Sequence, residues 1–413
     1  MQLYKRKVFD KIEPYIGDET VIVLHGARQV GKTHILYYLR EWLNIKTKKN
    51  FYYDLEYPEL LEFFNKGADS LISKITDEGY KKGEDCYVLI DEIQYLDNPS
   101  SFLKIIADHY KNIHLIVSGS STFEIKSKFK NSLAGRTVSF EVFPLDFEEY
   151  LEFLGVNIKI TDPLSEITTE KLKELYFKFI KYGGYPKVVL ENDEEKKKQL
   201  LLQLIDTYIR KDIKDLANIS DIKKFNNMLK VLASQSGQLL DMQSLSREIE
   251  ISLITLKKYI SILEETYVIK LVSPYSKSAS VEITKTPKLF FYDSGLQSIL
   301  WMNNFQDVVL GSVFETNIFG ELSKVFDRKD ISFWRTKTHM EIDFVIEKNM
   351  DPYIPIEVKL NFGNFNQRAI NTFNKKYKLN SWKMIGLNGK KINSSFIYPK
   401  ENFIYPWEIK TLV

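Results

Sequence analysis

The stretch Gly26-Ala27-Arg28-Gln29-Val30-Gly31-Lys32-Thr33 decides the fold of the first part of this chain, because it fits the pattern G-x-x-x-x-G-K-[ST]. The apolar run before it, residues 21–24, predicts a buried strand, and residues 34–40 after it predict a helix. A glycine-bounded loop between a strand and a helix directs several backbone N–H groups at one phosphate, with the helix dipole behind them. This context predicts a phosphate-binding loop and makes a chance glycine turn the weaker alternative.

The residues of this loop have distinct predicted roles in binding a nucleoside triphosphate. Gly26 and Gly31 permit the tight backbone path. Lys32 reaches the β- and γ-phosphates, and Thr33 supplies a hydroxyl to Mg²⁺. The predicted nucleotide-binding residues comprise the loop and the start of the helix: Gly26, Ala27, Arg28, Gln29, Val30, Gly31, Lys32, Thr33 and His34.

A second short apolar run, residues 86–90, ends in Asp91 and Glu92. In a P-loop NTPase the carboxylate that ends this strand holds Mg²⁺, and a following Glu polarises the attacking water. Two acids at a solvated strand end are the alternative, but the spacing from Lys32 suits a βαβ crossover unit with room for a strand at 51–55. The pattern therefore predicts Mg²⁺ binding by Asp91 and hydrolysis assisted by Glu92.

A further predicted strand, residues 113–117, ends in Ser118-Gly119-Ser120-Ser121. A polar group at that strand tip would lie near the γ-phosphate and report its presence, and Ser118 is the residue we assign to this role. Nucleotide binding and hydrolysis are the functions that these motifs predict together.

Composition sets broad limits on the protein. The chain has 413 residues, 44% of them apolar and 14% aromatic, which is enough for two to four globular domains at roughly 100–200 residues each. No apolar run approaches the roughly 18–20 residues of a membrane span, and the first residues lack the apolar segment of a signal peptide. The single cysteine, Cys86, excludes intrachain disulfides and cysteine-rich metal sites. We therefore expect a cytoplasmic protein without a membrane segment.

The overall charge does not identify a partner. The chain has 58 basic and 55 acidic residues, a formal net charge of +3. Any surface that binds nucleic acid must therefore be local.

Hydrophobic periodicity divides the chain into four predicted segments. Residues 1–150 alternate strands and helices, which predicts a parallel sheet with helices on both faces. Residues 151–220 are predominantly helical, interrupted by Gly183-Gly184-Tyr185-Pro186. This break is either a sharp turn or a nucleotide-sensing hinge, and the sequence favours neither.

Residues 221–293 have the pattern of a winged helix. A first helix is predicted at 225–233, a second at 242–249 after a cap at Asp241, and a third after a cap at Ser252. Strands at 267–272 and 288–292 follow, and the loop 274–285 between them would be the wing.

The third helix of this segment has two distinct faces. Leu256, Ile260 and Leu263 recur at helical spacing and should face the core. The outward residues are those that a recognition helix would present to the major groove of DNA, namely Thr255, Lys257, Lys258 and Ser261. Since winged helices also serve as packing or protein-contact modules, DNA is the favoured partner but not the sole one.

Residues 294–413 contain two strands that alternate with period two, 341–346 and 353–359. If Met350 is the centre of the turn between them, Asp343 lies across from Glu357 and Glu341 lies across from Lys359. The opposite face would then be apolar, with Ile342, Phe344, Ile346, Ile354, Ile356 and Val358. This arrangement holds two carboxylates about 5 Å apart, which suits a shared divalent ion, while the adjacent ammonium orients a water or stabilises an oxyanion.

The spacing Asp-x13-Glu-x-Lys is compatible with the PD-(D/E)xK nuclease core. Upstream, the helix that begins at Gly311 offers Glu315 as a third carboxylate, so the predicted metal ligands are Glu315, Asp343 and Glu357, with Lys359 as the catalytic ammonium. The alternative is a salt-bridged polar face, in which Glu341 pairs with Lys359 and Asp343 pairs with Arg335 or Lys337.

Taken together, these motifs carry a family resemblance. They include the stretches at 26–33, 89–94 (Leu-Ile-Asp-Glu-Ile-Gln), 118–121, 132–136 (Ser-Leu-Ala-Gly-Arg), 143–147 (Phe-Pro-Leu-Asp-Phe), 183–186, 291–296 (Phe-Tyr-Asp-Ser-Gly-Leu) and 333–337 (Phe-Trp-Arg-Thr-Lys). The chain resembles the archaeal and bacterial P-loop ATPases of the AAA superfamily that carry a C-terminal domain of uncharacterised function with nuclease-like motifs.

The resemblance implies a particular architecture and nucleotide. It implies an α/β protein with a P-loop AAA-type ATPase core (1–150), a helical segment (151–220), a winged helix (221–293) and a C-terminal restriction-endonuclease-like α/β domain (294–413). It also implies ATP as the nucleotide and Arg136 as a candidate for γ-phosphate contact, in cis or from a neighbouring subunit, which leaves a homo-oligomer open. The sequence departs from the nuclease pattern where Ile342, and not Pro, precedes Asp343.

Two functions of different classes follow. The first is an ATP-driven switch that acts on DNA, with the C-terminal domain as a Mg²⁺-dependent nuclease or a degenerate DNA clamp. The second is a signalling or scaffold ATPase whose nuclease-like domain is inactive and binds protein. A processive helicase is the weakest alternative, because the sequence shows one P-loop core and no second motor domain.

Overall fold

The structure is a computed structural model that describes residues 2–119, 135–158, 160, 164–212, 219, 221–276, 286–349, 351–389, 391 and 399–413. Ser120, Ser121, residues 132–134, the loop 277–285 and Met350, all named above, lie outside the described residues. The chain divides into two compact units. Unit 1 comprises Met1–Phe143 with Glu265–Tyr267, and unit 2 comprises Pro144–Glu264 with Val268–Val413. The end of unit 1 falls close to the predicted end of the ATPase core at 150, and the finer division of unit 2 stays a prediction.

Unit 1 is built on a five-stranded sheet in which every strand pairing is parallel. Its strands are β1 (Val21–Gly26), β2 (Asn50–Asp54), β3 (Cys86–Asp91), β4 (Ile113–Gly119) and β5 (Thr137–Val142), in the spatial order β2-β3-β4-β1-β5. Its helices are α1 (Val8–Ile12), α2 (Lys32–Ile45), α3 (Pro58–Phe64), α4 (Ala68–Asp77) and α5 (Pro99–His109), with 3₁₀ turns at Glu13–Tyr15 and Ile93–Tyr95. The predicted parallel sheet is confirmed, with strand bounds close to those expected.

The central strands of this sheet are enclosed on both faces. Every residue of β1 and β3 is buried, and this is why both read as continuous apolar runs rather than as alternating ones. Because parallel strands present their carboxyl ends at the same edge of a sheet, the segments that follow β1, β3 and β4 meet at that edge. The fold thereby places the phosphate-binding loop beside the acids after β3 and the serine at the end of β4.

Unit 2 begins with helices. They are α6 (Phe147–Phe153), α7 (Glu166–Tyr182), α8 (Pro186–Leu190) and α9 (Glu194–Leu204), followed by a π-helical segment, Ile205–Asp212. The first starts with a capping box, in which Asp146 accepts from the Glu149 N–H and Glu149 accepts from the Asp146 N–H. This helical run agrees with the prediction for residues 151–220.

The Gly-Gly-Tyr-Pro break is a turn held by a residue distant in sequence. Gly183 has φ +78°, and a Cβ there would lie 2.2 Å from Oδ1 of Asp293. Oδ2 of Asp293 accepts from the Gly184 N–H at 2.7 Å, and its Oδ1 accepts from the Leu296 N–H at 2.8 Å. Burial raises the pKa of Asp293, although the backbone N–H bonds act to lower it. These buried contacts favour the sharp turn over the hinge.

The segment predicted as a winged helix contains three helices and two strands at the expected places. The helices are α10 (Ile222–Ser234), α11 (Met242–Glu248) and α12 (Leu253–Glu265), and the strands β6 (Ile269–Val272) and β7 (Lys288–Phe291) are antiparallel. Asp241 caps α11 through the N–H groups of Gln243 and Ser244, and Ser252 accepts from the Thr255 N–H at the start of α12. The three predicted core residues of α12 are buried: Leu256, Ile260 and Leu263.

The rest of unit 2 is a second five-stranded sheet with helices. Helices α13 (Ser294–Met302) and α14 (Gly311–Val325) precede strands β8 (Ile331–Arg335), β9 (Glu341–Lys348) and β10 (Asp351–Val358); helix α15 (Arg368–Tyr377) and strands β11 (Lys383–Ile385) and β12 (Phe403–Ile404) follow. Short 3₁₀ turns lie at Arg328–Asp330, Phe362–Asn364, Lys400–Asn402 and Pro406–Leu412. The sheet order is β12-β11-β10-β9-β8, antiparallel from β8 to β10 and parallel from β10 to β12.

The register between β9 and β10 follows the prediction near the candidate site. Ile356 pairs with Phe344 and Ile354 pairs with Ile346, and this register extended by one residue sets Asp343 across from Glu357. It shifts by one residue between Pro352 and Ile354, toward the turn.

The predicted division of β9 into one apolar and one polar face is wrong. Ile342 and Val345 belong to one apolar cluster with Trp334 and Phe373. Phe344 instead packs on Phe290 and Phe319, with ring centroids 5.2 and 6.3 Å away. The pairing with β8 shifts by one residue between Ser332 and Trp334, so a bulge interrupts the alternation within β9.

Within the described residues, no helix is both long enough and apolar enough to cross a membrane.

Candidate nucleotide site and acid–lysine cluster

The loop between β1 and α2 has the backbone of a phosphate-binding loop. Gly31 and Gln29 take positive φ values of 98° and 61°. Gly26 has φ +158°, and a Cβ there would lie 2.1 Å from the backbone oxygen of Val142, a contact that no side chain allows. Glycine is therefore required at 26 by close packing and favoured at 31 by the backbone conformation.

Lys32 lies inside this loop. Its ammonium donates to the carbonyl oxygens of Gly26 at 3.0 Å and Ala27 at 2.7 Å, and the residue is only 5% exposed. Because these carbonyl oxygens are neutral, Lys32 can leave them for a phosphate oxygen without leaving an unpaired buried charge behind. Thr33 follows in the first turn of α2, and His34 beside it is exposed.

Asp91 and Ser118 meet at the carboxyl edge of the sheet, as predicted. The Ser118 hydroxyl donates to Oδ1 of Asp91, and Ser118 Oγ accepts from the Glu92 N–H at 3.3 Å. The Tyr52 hydroxyl donates to Oδ2 of Asp91 at 3.3 Å. The donors available to a cation here, a carboxylate and the Thr33 hydroxyl, are the hard oxygen ligands that Mg²⁺ prefers, so the residues fit Mg²⁺.

Glu92 lies directly after β3 in a constrained position. Its φ is +55°, which is uncommon for a residue with a side chain, and its carboxylate accepts from the Gln94 amide. Burial raises the pKa of Glu92, while the Lys32 ammonium acts to lower it. A half-buried carboxylate with a raised pKa beside the phosphate loop is suited to polarise water.

Sequence reasoning did not identify Tyr52 or Gln94 as site residues. The signal for Tyr52 was its strand, since β2 pairs with β3 so that Asp54 lies beside Asp91. Gln94 lies only two residues after Glu92, within the stretch 89–94, and this closeness in sequence was its signal. Tyr52 donates to the Asp91 carboxylate and Gln94 donates to the Glu92 carboxylate, so each holds one of the predicted site acids.

Arg136 lies at the wrong edge of the sheet for the predicted contact in cis. The Val21 N–H donates to its backbone oxygen, and the register between β1 and β5 runs from Val21–Thr137 to Gly26–Val142. Arg136 therefore precedes the first residue of β5, whereas the phosphate loop follows the last residue of β1, about 20 Å away along the strands. Its guanidinium pairs with Asp108 at 2.6 Å. Contact with the γ-phosphate of the same chain is excluded.

In unit 2, Asp343, Glu357 and Lys359 come together as the spacing predicted. The Lys359 ammonium lies 2.8 Å from Oδ2 of Asp343 and 3.0 Å from Oε2 of Glu357. The same Asp343 oxygen accepts from the Val358 N–H at 2.8 Å. Asp343 and Glu357 are buried, at 7% and 6% exposure. We call these residues, with Glu315, Glu341 and Lys288, the acid–lysine cluster.

A second ammonium in this cluster was not predicted. Lys288, at the start of β7, lies 3.0 Å from Oε1 of Glu315 and 2.6 Å from Oε1 of Glu341, and its side chain is 3% exposed. Arg335 pairs with the other oxygen of Glu341 at 3.1 Å. The alternative of a Glu341–Lys359 pair is therefore not found, and no local pattern could have linked Lys288 to these acids.

The carboxyl groups of the cluster differ in their affinity for protons. Burial, with Asp343 nearby, raises the pKa of Glu357 to about 8 and that of Glu315 to about 7. Burial acts to raise the pKa of Asp343 as well, but Lys359 and Lys288 outweigh it and the pKa is lowered. The cluster thus combines one carboxyl group whose pKa is lowered with two whose pKa values are raised to about 7 and about 8.

The predicted metal ligands are not arranged to share an ion as they stand. Among the described residues, no three Asp, Glu, His or Cys side chains lie together in a geometry that could hold a metal. Glu315 is engaged by Lys288, and Asp343 and Glu357 are engaged by Lys359. Carboxylates are suitable ligands for Mg²⁺, but in the observed arrangement these three are paired with lysines and do not fit an ion. The role of Glu315, Asp343 and Glu357 as metal ligands therefore stays a prediction.

The outward face of α12 is accessible in part. Lys257, Lys258 and Ser261 are exposed, whereas Thr255 is half-buried and its hydroxyl lies 2.8 Å from that of Ser252. These four side chains share the helix face that was predicted for DNA.

Comparison with known protein families agrees with the geometry of unit 1. Residues 18–151 match a family described as an AAA domain. The segment that contains the phosphate-binding loop is thus similar to AAA-type P-loop ATPase domains. Residues 173–307 and 310–411 match two further families, each described as a domain of unknown function (DUF8612 and DUF4143). The AAA domain is therefore followed by segments whose families carry no assigned activity.

Relatives match across the AAA domain and beyond. An uncharacterised protein of Methanocaldococcus jannaschii is 27% identical over 383 residues, covering 91% of this chain and 82% of its own length. Another, of Haemophilus influenzae, is 24% identical over 345 residues, covering 79% of this chain and 83% of its own. The match extends to the segments after the AAA domain in both.

Solved structures give more distant likenesses. The replication initiator DnaA bound to AMPPCP and single-stranded DNA is 16% identical, covers 64% of this chain and 90% of its own, and has a TM-score of 0.30. The Saccharomyces cerevisiae Hsp104:casein complex is 13% identical, covers 66% of this chain and 51% of its own, and has a TM-score of 0.32. Likenesses at this level are too distant to support a conclusion.

Proposed function

We propose that this protein is a Mg²⁺-dependent ATP-hydrolysing switch that acts on DNA. The observation that carries the proposal is the convergence of four groups at one edge of the parallel sheet, namely the loop 26–33, Asp91, Glu92 and Ser118. This is the set of groups that phosphoryl transfer to water requires, since it positions phosphates, a cation and the attacking water.

The residues of the AAA domain each have a role in this reaction. Mg²⁺, held by Asp91 and Thr33, would supply positive charge to the β- and γ-phosphate oxygens. Lys32 exchanges its bonds to the Gly26 and Ala27 carbonyls for bonds to phosphate oxygens. Glu92, whose pKa is raised by burial, polarises the water, while Ser118 orients the Asp91 carboxylate and accepts from the Glu92 backbone N–H.

The DNA part of the proposal is supported by two features of unit 2. Helix α12 presents exposed Lys257, Lys258 and Ser261, which match the charge and hydrogen-bonding needs of a major groove. The acid–lysine cluster brings Asp343, Glu357 and Lys359 into contact in the order of a nuclease motif. We assign no cleavage step to the cluster, because its carboxylates are held by ammonium groups.

The decisive experiment measures ATP turnover with and without single- and double-stranded DNA, while scoring that DNA for nicks in Mg²⁺ or Mn²⁺. We expect DNA to change turnover. Nicks that disappear in both Asp343→Ala and Lys359→Ala, but persist in Lys383→Ala on the same sheet, would extend the proposal to nuclease activity. Turnover that ignores DNA over a range of low salt concentrations would contradict action on DNA.

We further propose that Arg136 acts on the nucleotide of a neighbouring subunit. The proposal rests on its place at the sheet edge opposite the phosphate loop and on its ion pair with Asp108, half-exposed to solvent. Mixing Arg136→Ala with Lys32→Ala tests it, because each subunit lacks what the other supplies. Turnover of the mixture above that of either variant supports a site shared between subunits, and no recovery contradicts it.

One observation favours a second function, a scaffold ATPase with an inactive nuclease-like domain. Lys288 and Lys359 already neutralise the carboxylates that a nuclease would give to metal ions. Under this alternative ATP controls self-association, and the DUF4143 segment binds protein. Sedimentation with ATP or ADP distinguishes the two, since the scaffold predicts nucleotide-dependent assembly without any effect of DNA.

A further inference from the structure

An arginine outside the motif braces the phosphate loop. Arg6 lies just before α1, and only 6% of the residue is exposed. One guanidinium nitrogen donates to the carbonyl oxygen of Val30 at 2.7 Å, and another donates to that of Phe143 at 2.9 Å. The side chain thus ties the loop to the segment that follows β5, and these two partners lie 24 and 137 residues away in sequence.

Val30 is the point where the loop most needs support. It lies between Gln29 and Gly31, which both have positive φ, and its own side chain is fully buried. Positive φ at a residue with a Cβ costs of order 1 kcal/mol or more and persists only when the surroundings hold it. A charge-assisted bond to the Val30 carbonyl fixes the peptide that leads directly into Gly31 and Lys32.

The second brace of the loop is temporary. Lys32 holds the Gly26 and Ala27 carbonyls, but it must give up these bonds to reach phosphate. The bonds of Arg6 go to other carbonyls, those of Val30 and Phe143, so they do not have to break when Lys32 turns to phosphate. A lysine would not replace the arginine, because a single ammonium lacks the planar fork that reaches two separated carbonyls.

We propose that Arg6 is a positioning residue for the phosphates of the nucleotide, acting through the Val30 carbonyl. The inference rests on the proposed nucleotide function and adds a residue to its site. Arg6 holds the loop in its phosphate-binding conformation before the ligand binds. Substitution of Arg6 should therefore lower the affinity for the phosphates.

The test compares Arg6→Lys and Arg6→Met with wild type, using displacement of a fluorescent ATP analogue by ATP and by inorganic triphosphate. We expect both ligands to bind about tenfold more weakly or worse, since the charge-assisted bond that holds the Val30 carbonyl of the loop is lost. An equal loss of affinity for inorganic triphosphate shows that the defect lies in binding the phosphates. An unchanged melting temperature shows that it does not come from a general loss of structure. Lys5→Met, which removes an exposed pair with Asp10, is the matched control and should bind both ligands normally.

Unchanged affinity for both ligands in folded Arg6→Lys and Arg6→Met would overturn the inference. If Arg6→Met does not fold, amide exchange of residues 27–33 in Arg6→Lys decides, with faster exchange expected and wild-type exchange contradicting the proposal. Lys32→Ala separates the two levels. If Lys32→Ala binds ATP as tightly as wild type, the proposed nucleotide site itself is wrong. If Lys32→Ala loses ATP affinity but the Arg6 variants do not, only the proposed role of Arg6 is rejected.

Discussion

The phosphate loop and the acid–lysine cluster both contain a buried lysine, but the two lysines have opposite partners. Lys32 donates to backbone carbonyls, which are neutral. Lys288 instead forms ion pairs with the acidic side chains of Glu315 and Glu341. The two hydrogen bonds of the first lysine go to neutral oxygens that a phosphate oxygen can replace, whereas the ion pairs of the second lysine go to acidic side chains of the protein. A buried ammonium marks a ligand site only when its present partners are replaceable.

The carboxylates of the two regions differ in the same way. Asp91 accepts from two neutral hydroxyls, those of Ser118 and Tyr52, so its negative charge remains for a cation. Asp343 is paired with the Lys359 ammonium. Since separating a buried ion pair is costly, we expect substitutions in the first region to affect activity and those in the second to affect stability.

The largest effect is expected from Lys32→Ala. Removing the ammonium that reaches the phosphates should lower ATP turnover about 10³-fold or more, because charge stabilisation in the transition state is lost. Steady-state phosphate release measures it, with Lys74→Ala, on an exposed pair with Glu78, as the control of unchanged turnover. Turnover near that of wild type would refute the nucleotide site.

Lys288→Met should instead unfold unit 2 more easily, by about 3 kcal/mol, because Glu315 and Glu341 lose their buried counter-charge. Urea titration followed by tryptophan fluorescence measures it, since four of the five tryptophans belong to unit 2: Trp301, Trp334, Trp382 and Trp407. Lys329→Met, on an exposed pair with Asp327, should change stability by about 1 kcal/mol or less. A Lys288→Met protein as stable as wild type would mean that the cluster does not depend on this charge.

What the sequence reveals differs between the regions for a physical reason. The strand–loop–helix order around Lys32 and the acids after β3 are encoded within short windows, and parallel strands necessarily bring them to one edge. The helix caps Asp241 and Ser252 are equally local, and both are found where they were predicted.

Long-range contacts and the β-bulge could not be predicted from the sequence. Arg6, Tyr52 and Lys288 reach partners 24, 39 and 27 residues away, and no periodicity connects such positions. The bulge opposite Ser332–Trp334 reverses the alternation of β9, which put Phe344 on an unexpected side. Of the two alternatives for Arg136, contact within the same chain is excluded by the topology, because a residue that precedes a parallel strand lies at the edge opposite the phosphate loop.

A smaller effect is expected at the nucleotide site from Tyr52→Phe, which removes one hydroxyl from Asp91. We expect the Mg²⁺ concentration for half-maximal turnover to rise severalfold, while binding of ATP without Mg²⁺ stays unchanged. Titration of turnover with Mg²⁺ measures the first, and displacement of a fluorescent analogue in EDTA measures the second. Tyr57→Phe, at an exposed residue outside the site, is the control. Equal Mg²⁺ requirements in all three proteins would show that Asp91 is positioned without Tyr52.

The smallest effect is the pH dependence of stability that Glu357 and Glu315 of the acid–lysine cluster should contribute. Burial raises the pKa of Glu357 to about 8 from its ordinary 4.5, so between these values the folded protein binds a proton that the unfolded chain does not. Stability contributed by this proton is therefore lost as pH rises through that window, and Glu315, with its pKa raised to about 7, acts in the same direction. The lowered pKa of Asp343 has the opposite effect, but only at pH values near or below its ordinary 3.8.

The unfolding temperature of unit 2, measured by tryptophan fluorescence in EDTA, should accordingly fall between pH 5.5 and pH 8, by about 2–4 °C for each kcal/mol of stability lost. Glu357→Gln keeps an oxygen for Lys359 but cannot titrate, so the fall should be clearly smaller in this variant. Glu401→Gln, at an exposed site in the same unit, should behave as wild type does. A slope that Glu357→Gln leaves untouched would locate the titrating group elsewhere. The carboxylates would then be held ionised by Lys288 and Lys359 across the whole range, and the two regions would differ in their partners but not in their protonation.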